Sequence, residues 1–173
     1  MQKLLFSVVL LFGIIGIFYY ISKIELSSVV NLGSTKENYN KVLKIKSNQS
    51  DDSEDLGIIF RVDLADSPIK REIGLSYRKS MCDNCGMFFS FPKEDFYAFW
   101  MKDMNFDLDI IFINSEFEIV NIFSEIKKDG YIKSDPASSE KIKNTEAAAY
   151  VLELNSKKVE EKGLKVGDKV ILE

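Results

Sequence analysis

The first apolar block runs from Leu4 to Ile21, where Ser7 alone interrupts a series of large hydrophobic residues and glycines. As a helix it would span roughly 27 Å at about 1.5 Å per residue, close to the thickness of a bilayer core. Lys3 and the amino terminus precede it, Tyr19 and Tyr20 suit an interface, and Lys23 is offset by Glu25, so the positive flank is N-terminal. Residues 1–22 are therefore read as a transmembrane anchor that holds the rest of the chain outside the cytoplasm. Two rivals are a cleavable signal peptide, which favours a shorter apolar region ending in small residues, and a buried core helix. No alanine precedes Ala65. Residues 23–55 turn to Ser, Asn, Lys and Asp and read as a polar linker, although Val42-Leu43-Lys44-Ile45 has the composition of a short strand.

From residue 56 the pattern changes to apolar runs of strand length. Ile58 to Leu64 carries β-branched and aromatic residues that suit a pleated surface. Asp66-Ser67-Pro68 supplies a capping side chain and an early proline for about two helical turns, with Ile69 and Ile73 expected on the buried side. Further strands are predicted over Met87 to Phe91, Phe96 to Met101, Leu108 to Ile113, Phe117 to Phe123 and Ala147 to Leu154, with a long polar loop from Lys127 to Glu146. Asn155 is expected to cap a second brief helix ending at Gly163, and Lys169 to Leu172 closes the domain. Residues 56–173 thus predict a mainly β domain, a compact β-barrel or β-sandwich with two short helices, preceded by the transmembrane helix and linker.

Charge and composition remove several function classes. The net charge is −4, with basic and acidic residues intermixed, so no basic stripe is available to follow a phosphate backbone and no nucleic-acid partner is expected. The chain contains no histidine, which excludes Ser-His-Asp and Cys-His catalysis and paired-His zinc sites. No cofactor, no metal and no catalytic set are predicted.

Several strings in this domain resemble the domain-of-unknown-function 192 family, an uncharacterised group often found behind a signal or anchor segment. They are Gly74-Leu75-Ser76-Tyr77-Arg78, Gly86-Met87-Phe88-Phe89-Ser90-Phe91, Phe99-Trp100-Met101-Lys102, Leu108 to Ile113, Tyr150 to Leu154 and Gly163 to Asp168. The resemblance covers about Phe60 to Leu172 and implies a compact, mainly β domain; it supplies no catalytic residue, substrate or cofactor. The chain departs from it in Lys102-Asp103-Met104, where relatives commonly read Lys-Asn-Thr, and in the loop from Ser134 to Asn144, where many carry cysteines or prolines.

The residues that could carry chemistry fall into two groups. Cys82 and Cys85 are candidates for a structural disulfide, since outside the cytoplasm such a close pair oxidises. Redox chemistry, half of a metal site and free thiols are the alternatives, and Asp83 opposes the thiolate that redox chemistry needs. The second group is Arg78, Trp100, Lys102, Asp103 and Asp109, proposed as ligand-binding residues of a pocket at the strand ends, with Trp100 as an apolar platform. Alternation puts Asp107 and Asp109 with Ile111 and Ile113, so Asp109 is drawn into apolar surroundings where it must find backbone donors or a cation such as Lys102 or Arg78. The Asp107–Asp109 spacing also permits a carboxylate-pair hydrolase. The phenylalanines of the strands are expected to fill the core. Arg78 could instead satisfy carbonyls at the helix end. Glu153, which shares a face with Val151, reads as a solvated edge or as a partner for Arg78.

The sequence thus leads to an extracytoplasmic accessory or binding domain whose partners are the membrane, through the first helix, and an envelope component or protein. The alternative is an extracytoplasmic enzyme, a thiol-disulfide oxidoreductase using Cys82 and Cys85 or a carboxylate-dependent hydrolase.

Overall fold

A computed structural model describes residues 39–48, 57–131 and 141–173, all of them within the unit Glu37–Glu173. The anchor expected over residues 1–22 and most of the linker expected over 23–55 lie outside the described residues. Among the described residues no helix is long and apolar enough to cross a membrane.

The elements in chain order are β1 (Lys41–Lys46), β2 (Ile58–Ala65), α1 (Pro68–Ile73), β3 (Cys85–Asp95), β4 (Ala98–Phe99), β5 (Leu108–Ile113), β6 (Ile119–Ile126), β7 (Ile142–Lys143), β8 (Ala148–Asn155), α2 (Lys158–Lys162) and β9 (Lys169–Leu172). Seven strands form one sheet in the order β6-β5-β8-β3-β2-β1-β9, and β4 pairs with β7 in a small second sheet. The large sheet curls into a half-barrel whose edges touch through a bridge between Glu118 and Lys169, flanked by a Val170 N–H to Phe117 carbonyl bond of 2.8 Å. The architecture is thus mainly β with two short helices, and the barrel or sandwich expected takes the form of a curled seven-stranded half-barrel with a small two-stranded sheet beside it.

Strand alternation gives this sheet two apolar faces. One core gathers Leu43, Phe60, Val62, Phe88, Ile111, Leu152, Leu154 and Val170. The other gathers Ala65, Leu75, Met87, Phe89, Ile110, Phe112 and Val151. Strands β5 and β8 are buried along almost their whole length because both faces are covered.

Several expectations need correction. Residues 41–46, read as linker, form β1, which pairs antiparallel with both β2 and β9. Leu43 and Ile45 point into the core at 0% and 1% exposure while Lys44 between them faces outward. Strands β2 and β3 pair in parallel, which no hairpin can achieve; α1 and the loop through Asn84 form the required crossover. The Ser67 hydroxyl accepts from the Lys70 N–H at 3.3 Å as a cap should. No residue of α1 is buried, however, and Ile69 is 64% exposed, because this short crossover helix lies at the surface.

The strand expected over Phe96 to Met101 shrinks to β4. Asn144 takes the place of a ladder there: its side chain accepts from the Tyr97 N–H at 2.7 Å and donates to the carbonyls of Asp95, at 3.0 Å, and Glu146. The loop expected from Lys127 to Glu146 contains β7 as well as this clasp, and its residues 132–140 lie outside the described ones. Gly163 ends α2 in the left-handed region as expected. Asn155 does not cap α2; its amide donates to the carbonyls of Met81 and Cys82.

Candidate binding cleft

Register across four strands sets one row of side chains on the same face: Asp63 on β2, Met87 on β3, Glu153 on β8 and Ile110 on β5. Two residues along, Ala65, Phe89, Val151 and Phe112 form the next row. The end of α1 and the turn after it lie over these rows. Gly74, at φ 51°, makes that turn, and a Cβ there would come within 3.4 Å of the Phe89 ring. Between this cover and the sheet is a cleft of about 290 Å³ whose walls include Phe89, Phe91, Phe99, Trp100 and Met104, with Glu153 also in its lining. Phe99 meets Phe89 and Phe112 edge-on at 5.2 and 5.7 Å, which fixes the inner wall. Arg71 stands at the rim with its guanidinium 5.3 Å from the centre of the Phe91 ring, while its Nη1 donates to the Ser90 carbonyl at 2.8 Å.

Glu153 is only 5% exposed, and no hydrogen bond from a described residue reaches its carboxyl. Burial pushes its acid up to about 8, against the opposing pull of the Arg78 charge, so it carries its proton at neutral pH. Arg78 Nη2 donates to Asp63 Oδ2 at 2.6 Å, and both side chains are nearly buried. The other terminal nitrogen, Nη1, is buried with no hydrogen-bond partner among the described residues. Beside this group β3 and β8 approach closely: a Cβ on Gly86 would lie 2.7 Å from the Glu153 carbonyl oxygen, so only glycine fits.

Of the five ligand-binding candidates, the structure puts Trp100 in the cleft wall at 48% exposure. Arg78 lies on the same sheet face, held by Asp63 rather than by helix-end carbonyls. Lys102 is exposed and contributes its carbonyl, which accepts from the Ser76 hydroxyl at 2.9 Å. Asp103, at φ 56°, accepts from the Tyr77 hydroxyl at 2.7 Å and lines a separate, more polar cleft of about 310 Å³ with Tyr131 and Lys128. Asp109 is fully buried on the opposite sheet face, where its two oxygens each accept a backbone N–H at 2.8 Å, from Glu125 and from Val159. It thus caps α2 and holds the turn of β6 at Glu125, whose φ is 55°. The pocket that was to combine Lys102, Asp103 and Asp109 with Trp100 is therefore not assembled.

Asp107 accepts from the Lys128 N–H at 2.9 Å and pairs with Lys127 at 3.0 Å, and the backbone bond holds its carboxyl below the usual range. Cys82 and Cys85 lie at disulfide distance, with Cα atoms 5.2 Å apart, and Arg61 Nη2 is 3.6 Å from the Cys82 sulfur. Asp83 is ion-paired with Lys158. Among the described residues no cluster of three or more Cys, Asp or Glu could hold a metal.

Sequence reasoning missed the importance of Glu153 and the role of Asp63. Glu153 is not a solvated edge. The available signal was a lone carboxylate at a core-facing position of an otherwise apolar strand. The aromatic residues also divide more finely than expected: Phe89 and Phe112 are core, Phe91 and Phe99 are partly open to the cleft, and Phe96 is 65% exposed.

Comparison with known proteins returns no match among proteins of curated function. Among solved structures, a Sinorhizobium meliloti 1021 protein whose proposed role is transcription regulation shares 31% identity, with 76% of this chain and 92% of that one aligned at a TM-score of 0.63. A protein of unknown function from Novosphingobium aromaticivorans DSM 12444 shares 26% identity over 75% of this chain and 83% of that one, at a TM-score of 0.62. Residues 47–172 match the family model described as an uncharacterised ACR. The chain therefore belongs to the domain-of-unknown-function 192 family.

Proposed function

We propose that the domain is a small-molecule binding module, held outside the cytoplasm by the apolar segment of residues 1–22. The observation that carries the binding reading is the aromatic cleft with a buried carboxyl group in its lining that no described residue hydrogen-bonds. Binding sites combine apolar walls with a few placed polar groups, and a buried polar group without a protein partner is costly unless a ligand supplies one. The outward location is supported by the length and charge flanks of the Leu4–Ile21 run and by the cysteine pair at disulfide distance. A ligand carried by an envelope component or protein partner is consistent with that placement.

An enzyme has less geometry behind it. Asp103, Asp107 and Asp109 bond to three separate parts of the structure, and Cys85 is fully buried at the start of a strand, without the helix N-terminus that activates a thiolate. Nor does the role proposed for the S. meliloti relative fit this chain's mixed, net negative charge.

The chain has one tryptophan, Trp100, so its emission reports on the cleft. Titrating 2-phenylethanol into the full-length chain should give a saturable change in that emission, and Ala98→Phe, which places a ring in the cleft, should abolish it. A strictly linear, unsaturable response would end the binding reading. Protease added to intact cells should remove the domain; full protection in intact cells alongside digestion in lysed ones would place it in the cytoplasm.

A further inference from the structure

Building on the binding reading, we infer that the cleft takes a small primary amine, with its ammonium on the Glu153 carboxylate and its apolar body against Phe89, Phe99 and Trp100. Glu153 lines the cleft at 5% exposure and receives no hydrogen bond from the described residues. The groups around it decide the sign of the ligand. On the loop after α1, Arg78 is balanced by Asp63 of β2 at 2.6 Å. On α1, Arg71 and Glu72 at the rim carry one charge of each sign, and Tyr97 is neutral. The cross-strand neighbours of Glu153, Met87 on β3 and Ile110 on β5, are uncharged. Once Glu153 ionises, the site therefore holds one negative charge in excess, and one monocation restores neutrality. A carboxylate ligand would add a second negative charge in a poorly hydrated cleft, where the cost is high. The walls favour the same sign, since aromatic faces attract cations; Arg71 already sits over Phe91 in this way. A divalent metal is a poor alternative, because Glu153 is not part of any cluster of three metal-binding side chains among the described residues.

Burial keeps a proton on Glu153 at neutral pH. Amine binding displaces that proton to solvent, so affinity must rise with pH until Glu153 is ionised in the free protein. The test uses the full-length chain with phosphatidylcholine vesicles, protein-free vesicles as the blank and Trp100 emission as the readout. Three probes share one ring and differ in the head group: 2-phenylethylamine, 2-phenylethanol and 3-phenylpropionate. The amine should bind at least about tenfold more tightly than the alcohol at pH 8 and lose close to tenfold per pH unit between about pH 7 and about pH 6, while the alcohol stays constant. Glu153→Gln should reduce the amine to the level of the alcohol in that variant and remove the pH dependence of amine binding between about pH 7 and about pH 6. If the alcohol binds but the amine shows no advantage and no pH dependence, or the propionate binds best, the amine assignment is wrong and the cleft reading survives. If no probe gives a saturable response, both are wrong.

Discussion

Asp109 and Glu153 occupy neighbouring strands on adjacent rungs of one ladder, opposite Leu154 and Ile110 respectively, and each is almost or wholly removed from water. They face opposite sides of the sheet, and there the likeness ends. Asp109 meets two backbone N–H groups, one from the turn of β6 and one from the start of α2, and joins three elements as a result. Glu153 meets Met87, Ile110 and the cleft, and no donor among the described residues. A buried carboxylate is expensive in either place. On the first face the fold supplies the donors, so the residue serves architecture; on the second it does not, so the residue is left to a proton or a ligand.

This contrast can be tested most severely with pH. The Glu153 acid is raised from the ordinary 4.5 to about 8, so the folded state holds a proton that the unfolded chain releases, and stability contributed by this group falls as pH rises from about 4.5 to about 8 and levels off above it. Relative to Glu153→Gln, the wild-type protein should lose on the order of 4 kcal/mol across that window, read as urea midpoints at pH 5 and pH 8.5. A parallel pH dependence in the two proteins would remove the distinction between the acids. Arg78→Leu is next: it strands the Asp63 carboxylate and should cost about 3 kcal/mol. Chemical denaturation at pH 7 measures this, and a cost below about 1 kcal/mol would mean that the pair is not held as described. Asp109→Asn puts an amide where two backbone donors expect oxygens and should cost about 2 kcal/mol, while leaving probe binding in the cleft intact. Weakened binding in that variant would erase the separation of the two faces. Smallest is Trp100→Ala, half exposed at the cleft wall, which should change stability by less than about 0.5 kcal/mol yet reduce probe affinity, followed by calorimetry because the fluorophore is lost.

The same two residues mark how far the amino-acid sequence could be read. Period-two alternation in β5 correctly puts Asp109 with Ile111 and Ile113, and the demand that a buried acid find donors anticipates its backbone bonds. The Ser67-Pro68 start of α1 and the Gly163 end of α2 are local signals and are legible for that reason. What failed was non-local. Leu43 and Ile45 alternate with lysines in a polar stretch, and only β2 and β9 as neighbours make that segment a strand. The parallel pairing of β2 with β3 brings Asp63 into the row of Glu153, and no pattern within either strand announces it. Cleft geometry depends on that crossover, so Trp100 and Glu153 could each be singled out by type while their meeting in one cleft could not.

The clasp of β1 by β9 sets the order in which the sheet can be completed. Lys44 and Glu173 bond at 2.6 Å across 129 positions of sequence, and the Glu173 N–H donates to the Val42 carbonyl at 2.8 Å. Such distant partners give the domain a high contact order, and loop-closure entropy must be met before their contacts give any return. While the chain is being synthesised, β1 can pair with β2 early, but its second edge stays unpaired until β9, the last strand, emerges.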